Sequence, residues 1–110
     1  MSIDRIHITH TAAKKSGRYL TPTQLRTVLR EQTGYVCTRC SPNHDGLYSD
    51  TEFILRGEFY GVPLDIVFVV EPDHLVVVTQ MSQHNGNLRG RFYEYVGETA
   101  ADAVDRVRSE

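Results

Sequence analysis

The pattern of apolar and polar residues predicts strands at the start of the chain and in its second half. Near the start, Ile6 and Ile8 alternate with polar neighbours, which indicates a short strand with one buried face. Further along, VPLDIVFVV and HLVVVTQM are apolar on both faces and flank a Glu-Pro-Asp turn. We therefore predict that these two segments pair as an antiparallel hairpin at the centre of a sheet.

Helix-forming patterns follow the first strand and close the chain. Thr9 can cap a short helix through HTAAKKSG, which Gly17 ends. At residues 21–24, Thr-Pro-Thr-Gln combines a capping threonine, a proline at the first helical position and a glutamine three residues after the cap. The tail ETAADAVDRVRS places alanine and valine at helical spacing. The sequence therefore predicts two helices after the first strand and one at the C-terminus.

Three other segments are rich in strand-forming residues. YVCTRC and TEFILRGEFY lie before the predicted hairpin, and RGRFYEYV follows the HNGN turn after it. The order of elements predicts an α+β fold. In it, an N-terminal strand and two helices are followed by a mostly antiparallel four- to five-stranded sheet, covered on one face, and a C-terminal helix.

Length and composition fit one folded domain. The chain has 110 residues, of which 40% are hydrophobic and 24% charged, so residues 1–110 are predicted to form a single domain. No apolar run approaches the roughly 18 residues that a membrane span needs. The polar start is unlike a secretory signal, so we expect a cytoplasmic protein with no membrane partner. In that compartment the two cysteines are expected to be free thiols or ligands rather than a disulfide.

The net charge of −2 conceals an uneven distribution of charged residues. Residues 1–30 contain six basic side chains and one acidic side chain, whereas residues 31–87 contain two basic and eight acidic ones. A basic N-terminal segment fits binding to nucleic acid phosphates, although a solvated helix surface can have the same composition.

The stretch CTRCSPNHDG has the spacing of a possible metal or redox motif. A structural zinc site takes about four ligands, and here Cys37 and Cys40 are followed only by His44 and Asp45. If YVCTRC is a strand, the two thiols point to opposite faces and cannot reach one ion. A redox pair would precede a helix N-terminus, but a Ser-Pro-Asn turn follows. We therefore predict no metal ligands and no cofactor.

A cluster of imidazole and cationic side chains lies in and around the first predicted helix. His10 and Lys14 are four residues apart and so share one helix face, with Lys15 beside them and Arg18 in the loop that follows. An imidazole can transfer protons near neutral pH, and fixed cations can neutralise charge that builds up on a phosphodiester. His10, Lys14 and Arg18 are therefore the candidate catalytic residues. The same spacing also fits a plain solvated helix face.

Other side chains could contact nucleic acid without taking part in catalysis. His7 leaves the first strand on the side away from its apolar neighbours. Arg91, Tyr93 and Tyr95 alternate along the last strand and would share one face, where they could stack on a base, hold a phosphate or pack across strands. The candidate nucleic-acid-binding residues are His7, Lys15, Arg91, Tyr93 and Tyr95.

Two long segments carry a resemblance to a known group of proteins. ITHTAAKKSGRYLTPTQLRTVL and GVPLDIVFVVEPDHLVVVTQM resemble small domains of the barnase–EndoU–colicin–RelE group of metal-independent RNase folds, which includes the RelE and BrnT toxins. Members tend to have a histidine at the first helix, an arginine eight residues later, a capped second helix and a threonine ending two apolar strands. Those positions are His10, Arg18, the helix from Thr21, and Thr79.

This resemblance covers about residues 5–81 and implies a function. It implies a metal-independent endoribonuclease-like domain that acts on RNA, in the manner of the toxin of a toxin–antitoxin pair, with an antitoxin or other protein partner. The alternative is a non-catalytic adaptor or regulatory protein that uses the same sheet to bind a protein partner or nucleic acid.

Overall fold

The computed structural model describes residues 5–14, 17, 19–31, 35–39, 52–82 and 93–108, of which residues 35–39 and 93–98 are described by their backbone. Strands and helices follow one another in the predicted order. In chain order they are β1 (Ile6–Ile8), α1 (His10–Ala13), α2 (Pro22–Glu31), β2 (Tyr35–Arg39), β3 (Glu52–Phe59), β4 (Val62–Val70), β5 (Leu75–Ser82), β6 (Tyr93–Glu98) and α3 (Ala100–Arg108).

The described strands form one six-stranded sheet with the order β1-β5-β4-β3-β2-β6. β1 is parallel to β5, and the other neighbouring pairs are antiparallel. The α+β class and the mostly antiparallel sheet are therefore confirmed. In the described part of the chain, five strands follow the two helices, the upper end of the predicted number, and the sheet reaches six because the N-terminal strand joins it.

The predicted hairpin of β4 and β5 is also confirmed. The two strands are antiparallel, and each lies between two other strands rather than at an edge. Ile66 and Phe68 point into the core under the helices, while Val67 packs with Ile54 in a smaller cluster. Burying an apolar side chain of this size stabilises the fold by about 1.5–3 kcal/mol relative to leaving it exposed. Both faces therefore contribute, as the two-faced apolar pattern predicts.

The helices pack into the main apolar core of the sheet. Leu25 and Leu29 of α2 and Val104 of α3 belong to the same buried cluster as the inward-facing residues of β3, β4 and β5. The predicted capping box forms, because the Thr21 amide donates to Gln24 Oε1 at 2.9 Å and the Gln24 amide donates to Thr21 Oγ1 at 3.2 Å. No helix in these described ranges is both long and apolar enough to cross a membrane.

A β-bulge in β5 turns one polar side chain into the core. Phe68 pairs with Val77 but Val67 pairs with Thr79, so Val78 is an extra residue. Beyond the bulge, Gln80 is paired with the inward-facing Ile66, and it is fully buried.

The buried Gln80 amide ties the segment between α1 and α2 to the sheet. Its Oε1 accepts from the Leu20 amide at 2.9 Å. Its Nε2 donates to the carbonyls of Leu20 and Ala12 at 2.8 and 3.1 Å. α1 ends at Ala13, before the Gly17 end that the pattern predicts, and the bond to Ala12 satisfies a carbonyl at this early helix end.

Candidate functional site

A basic hollow of about 420 Å³ opens where β1 forms the edge of the sheet beside α2. Of the six described residues that line it, five carry a guanidinium or an imidazole group. The lining residues are Arg5, Ile6, His7, Arg26, Arg30 and His74. We call this surface the basic hollow.

The parallel pairing of β1 with β5 brings residues that are distant in sequence to the hollow. Ile6 is in register with Leu75, and the Leu75 amide donates to the Arg5 carbonyl at 2.8 Å. This places His74 beside Arg5. In register with Val76, His7 extends the same edge of the sheet.

α2 supplies the two remaining arginines. Arg26 and Arg30 are four residues apart on the helix and so lie on one face. The Arg26 Nε donates to the Ile6 carbonyl at 3.4 Å, which fixes this guanidinium against the edge of β1. The capping box fixes the residue at which α2 begins, and with it the positions of both arginines around the helix. The local sequence of one helix therefore aims two cations at one strand edge.

Within the described ranges, the carboxylate of Asp73 contacts the hollow from the turn between β4 and β5. Arg5 Nη1 lies 3.3 Å from Asp73 Oδ2, and His74 Nδ1 lies 2.7 Å from Asp73 Oδ1. The hydrogen bond from His74 is the main cause that lowers the pKa of Asp73, and the positive charges of His74 and Arg5 add to it against an opposing contribution from burial. Among the described residues, three arginines line this surface and the Asp73 carboxylate contacts it, so cationic side chains outnumber carboxylates there.

The geometry suits an anionic ligand that extends beyond the hollow. Arg5, His7 and Arg30 are exposed, so the hollow is open to a polymer. Guanidinium groups bind phosphate oxygens through paired hydrogen bonds, and imidazoles donate or accept protons near neutral pH. An open surface with three guanidinium groups and two imidazoles can hold a phosphate backbone and act on it.

Two of the predicted catalytic residues, His10 and Lys14, belong to the described part of the chain. The Lys14 amide donates to the His10 carbonyl at 2.9 Å, so the turn that brings the two side chains to one face is formed, and both residues are exposed. Neither lines the basic hollow, whereas His7 does. Arg18 and Lys15 lie outside the described residues.

The last-strand candidates belong to the other edge of the sheet. Tyr93 and Tyr95 are both on β6, which is five strands away from β1. At about 4.8 Å per strand, that separation is roughly 24 Å. The strand order therefore separates these two residues from the His7 side of the sheet. Arg91 lies outside the described residues.

The cysteine motif is described only in part. Cys37 lies within β2, in register with Ile54 of β3 and with Tyr95 of β6. Cys37 is therefore in a strand, as the prediction against a zinc site assumes. Cys40, His44 and Asp45 lie outside the described residues, so the absence of a bound metal stays a prediction.

The sequence reasoning missed Arg5, Arg26, Arg30 and His74. The i, i+4 spacing of the two helix arginines was visible in the capped helix. The pairing of β1 with β5 was not visible, because a three-residue strand carries no pattern that names its partner.

Comparisons with family models, with curated proteins and with solved structures find no match to this chain. The likeness to the RNase fold group therefore stays a prediction that rests on short sequence motifs. The case for a function rests on the hollow itself.

Proposed function

We propose that the protein binds RNA and cleaves it as a metal-independent endoribonuclease, with the basic hollow holding the phosphate backbone. The observation that carries this proposal is the meeting of three arginines and two histidines at one open surface. They come from β1 and the residue before it, from α2, and from the turn before β5. The basic N-terminal third of the chain and the resemblance to RNase folds support the same reading. We propose that this enzyme is a toxin that an antitoxin inhibits.

The arginines supply affinity for any RNA sequence. Each phosphate that a cation neutralises releases bound counterions, so affinity falls as salt rises. Arg26 is held at the edge of β1 by its bond to the Ile6 carbonyl, so less side-chain freedom is lost when it contacts a phosphate. The hollow reads the backbone and not the bases.

The two imidazoles of the hollow provide the proton transfers that RNA cleavage needs. One neutral imidazole accepts the proton of the RNA 2′-hydroxyl, and the 2′-oxygen then forms a bond to the adjacent phosphorus. The bond from phosphorus to the 5′-oxygen breaks, and the other imidazole, in its protonated form, gives its proton to that oxygen. The products are a 2′,3′-cyclic phosphate and a free 5′-hydroxyl. His7 and His74 take these two roles, while the arginines stabilise the charge on the phosphorane.

His10 and Lys14 extend the RNA path beyond the hollow. Three residues of extended chain span at most about 10–11 Å, so the Cα of His10 lies within that distance of the Cα of His7. An RNA strand that crosses the edge of β1 can therefore reach α1. Lys14 is assigned a phosphate contact, and His10 borders the reaction site.

Histidine variants test the catalytic half of the proposal. We expect His74→Ala to lower the rate of RNA cleavage in EDTA by about 10²–10⁴-fold, the usual effect of losing a positioned acid or base. His10→Ala should lower it by less than about 10-fold, because that side chain lies outside the hollow. If His10→Ala lowers the rate more than His74→Ala does, the catalytic role belongs to His10. If the wild-type protein does not cleave RNA, the proposal that it is an endoribonuclease is wrong.

Arginine variants test the binding half. The double variant Arg26→Ala, Arg30→Ala should bind a fluorescent single-stranded RNA more weakly than wild type in an anisotropy titration. The control pair Arg106→Ala, Arg108→Ala on α3 removes the same number of cations, and neither residue lines the hollow. Equal affinity of the double variant and the control would contradict the proposal.

A second function, the binding of a protein partner without catalysis, is favoured by a different observation. Tyr60 is 57% exposed at the tip of the β3–β4 hairpin, beside a hollow of about 300 Å³ that Glu31 and Glu58 also line. An aromatic ring next to carboxylates fits a basic side chain of a partner. If RNA binding fails while Tyr60→Ser abolishes capture of a partner, this function replaces the first.

A further inference from the structure

We propose that Asp73 is a positioning residue that fixes the ring of His74, with the proton on Nδ1 and with Nε2 presented to a ligand in the basic hollow. The structural part of this inference stands on the contacts of these two residues. Its meaning for catalysis rests on the proposed function.

The first support is the contact between the two side chains. His74 Nδ1 lies 2.7 Å from Asp73 Oδ1, a short distance for a hydrogen bond to a charged oxygen. An ionised carboxylate can only accept, so Nδ1 must carry the proton. Within the described residues, Nε2 of His74 has no hydrogen-bond partner. It is therefore available to a ligand.

The second support is that the backbone around His74 is fixed on both sides. The His74 carbonyl accepts from the Glu71 amide at 2.9 Å, which closes the turn between β4 and β5. The next amide, that of Leu75, donates to the Arg5 carbonyl at 2.8 Å. Pro72 restricts the turn further, because its ring fixes φ. Only the side-chain torsions of His74 are left to be set, and Asp73 sets them.

The third support is a second hold on the carboxylate. Arg5 Nη1 lies 3.3 Å from Asp73 Oδ2, so the two oxygens of Asp73 face two different partners. The chain Arg5–Asp73–His74 thus joins β1 to the turn. Among the described residues, the other titratable or charged groups that line the hollow with His74 are His7, Arg26 and Arg30.

The charge state of Asp73 makes this contact persist. Its pKa lies below the ordinary value of 3.8, chiefly because of the hydrogen bond from His74. Asp73 is therefore ionised at neutral pH. It accepts from Nδ1 whether His74 is neutral or protonated. Nε2 thus serves as a base in the first state and as an acid in the second.

The test reads the tautomer directly, by long-range ¹H–¹⁵N NMR of the histidine rings. In wild type above the pH at which His74 titrates, we expect the neutral ring to carry its proton on Nδ1. In Asp73→Ala it should shift to the Nε2–H form, which an unrestrained histidine favours. Asp73→Asn, which keeps an acceptor oxygen, should retain part of the Nδ1–H form. Asp105→Ala, an exposed carboxylate on α3, is the control for a lost charge.

The outcomes separate this inference from the proposed function. A wild-type His74 in the Nε2–H form, or a tautomer unchanged by Asp73→Ala, would overturn the positioning role even if RNA is cleaved. The expected tautomers without RNA cleavage would leave the positioning role intact and remove the enzyme. If both hold, Asp73→Ala should lower the cleavage rate by about 10-fold or more while RNA affinity does not fall, because a negative charge has left the hollow.

Discussion

Replacing Gln80 with methionine should destabilise the fold, although methionine is apolar and similar in length to glutamine. Gln80 is fully buried, as are Leu20 and Ala12. Its amide makes three hydrogen bonds to their backbone groups, at 2.8 to 3.1 Å. Methionine fills the space but leaves one amide and two carbonyls without these bonds.

The expected loss follows from the cost of buried unsatisfied groups. Each such group costs about 1–3 kcal/mol, so three of them at the lower half of that range cost about 3–6 kcal/mol. Burying the apolar methionine side chain offsets about 1.5–2 kcal/mol of this. We therefore expect a net loss of roughly 1–4 kcal/mol, with the upper end reduced because the segment between α1 and α2 can shift and admit water. For a domain of this size that loss lowers Tm by about 4–16 °C.

Urea denaturation followed by circular dichroism measures the loss in the free energy of unfolding. Hydrogen exchange measures the loss of protection at the Leu20 amide. Met81→Leu, a volume-conserving change on the other face of the same strand, is the control and should cost less than about 1.5 kcal/mol. A Gln80→Met protein as stable as wild type, with the Leu20 amide still protected, would refute the reasoning that these three bonds hold the segment.

Three further predictions concern the hairpin tip, the hollow and the cysteines. Tyr60→Asn should raise the free energy of unfolding by about 0.5–1 kcal/mol in urea denaturation, because Tyr60 has a left-handed φ of 53° that asparagine tolerates better; a loss of stability would contradict it. Because the pKa of Asp73 is lowered in the fold, its contribution to stability is present above pH 3.8 and is lost as the pH falls through the folded pKa. The stability of Asp73→Asn relative to wild type should therefore be lower at neutral pH and converge below that window, and a constant difference would count against the ion pairing. Purified protein should carry no stoichiometric zinc by elemental analysis, and one zinc per chain that is lost in Cys40→Ser would overturn that expectation.

Local chemistry explains why much of the fold could be predicted. The capping box at Thr21 and Gln24 formed because its bonds involve residues three apart. The β4–β5 hairpin formed because a short turn joins two strands that are apolar on both faces. Both features are encoded within a few residues, where a sequence pattern is sufficient.

The candidate site was harder to predict because it depends on contacts between distant segments. Arg5 meets His74 only because β1 pairs in parallel with β5, across 69 positions of the sequence. Gln80 faces the core only because the bulge at Val78 shifts the register by one residue. A one-residue shift reverses the face of every later side chain, and no local pattern showed it. The sequence therefore indicated that histidines and cationic side chains form the site, but it did not indicate which of them line the basic hollow.

The salt dependence of RNA affinity tests the central claim most directly. The dissociation constant of a single-stranded RNA would be measured across a series of salt concentrations, for wild type and for the double variant Arg26→Ala, Arg30→Ala. Each lost phosphate contact removes about 0.7 from the slope of log affinity against log salt for single strands, so the slope should become shallower by about 1.4. An unchanged slope and affinity in the double variant would show that RNA does not bind at the basic hollow.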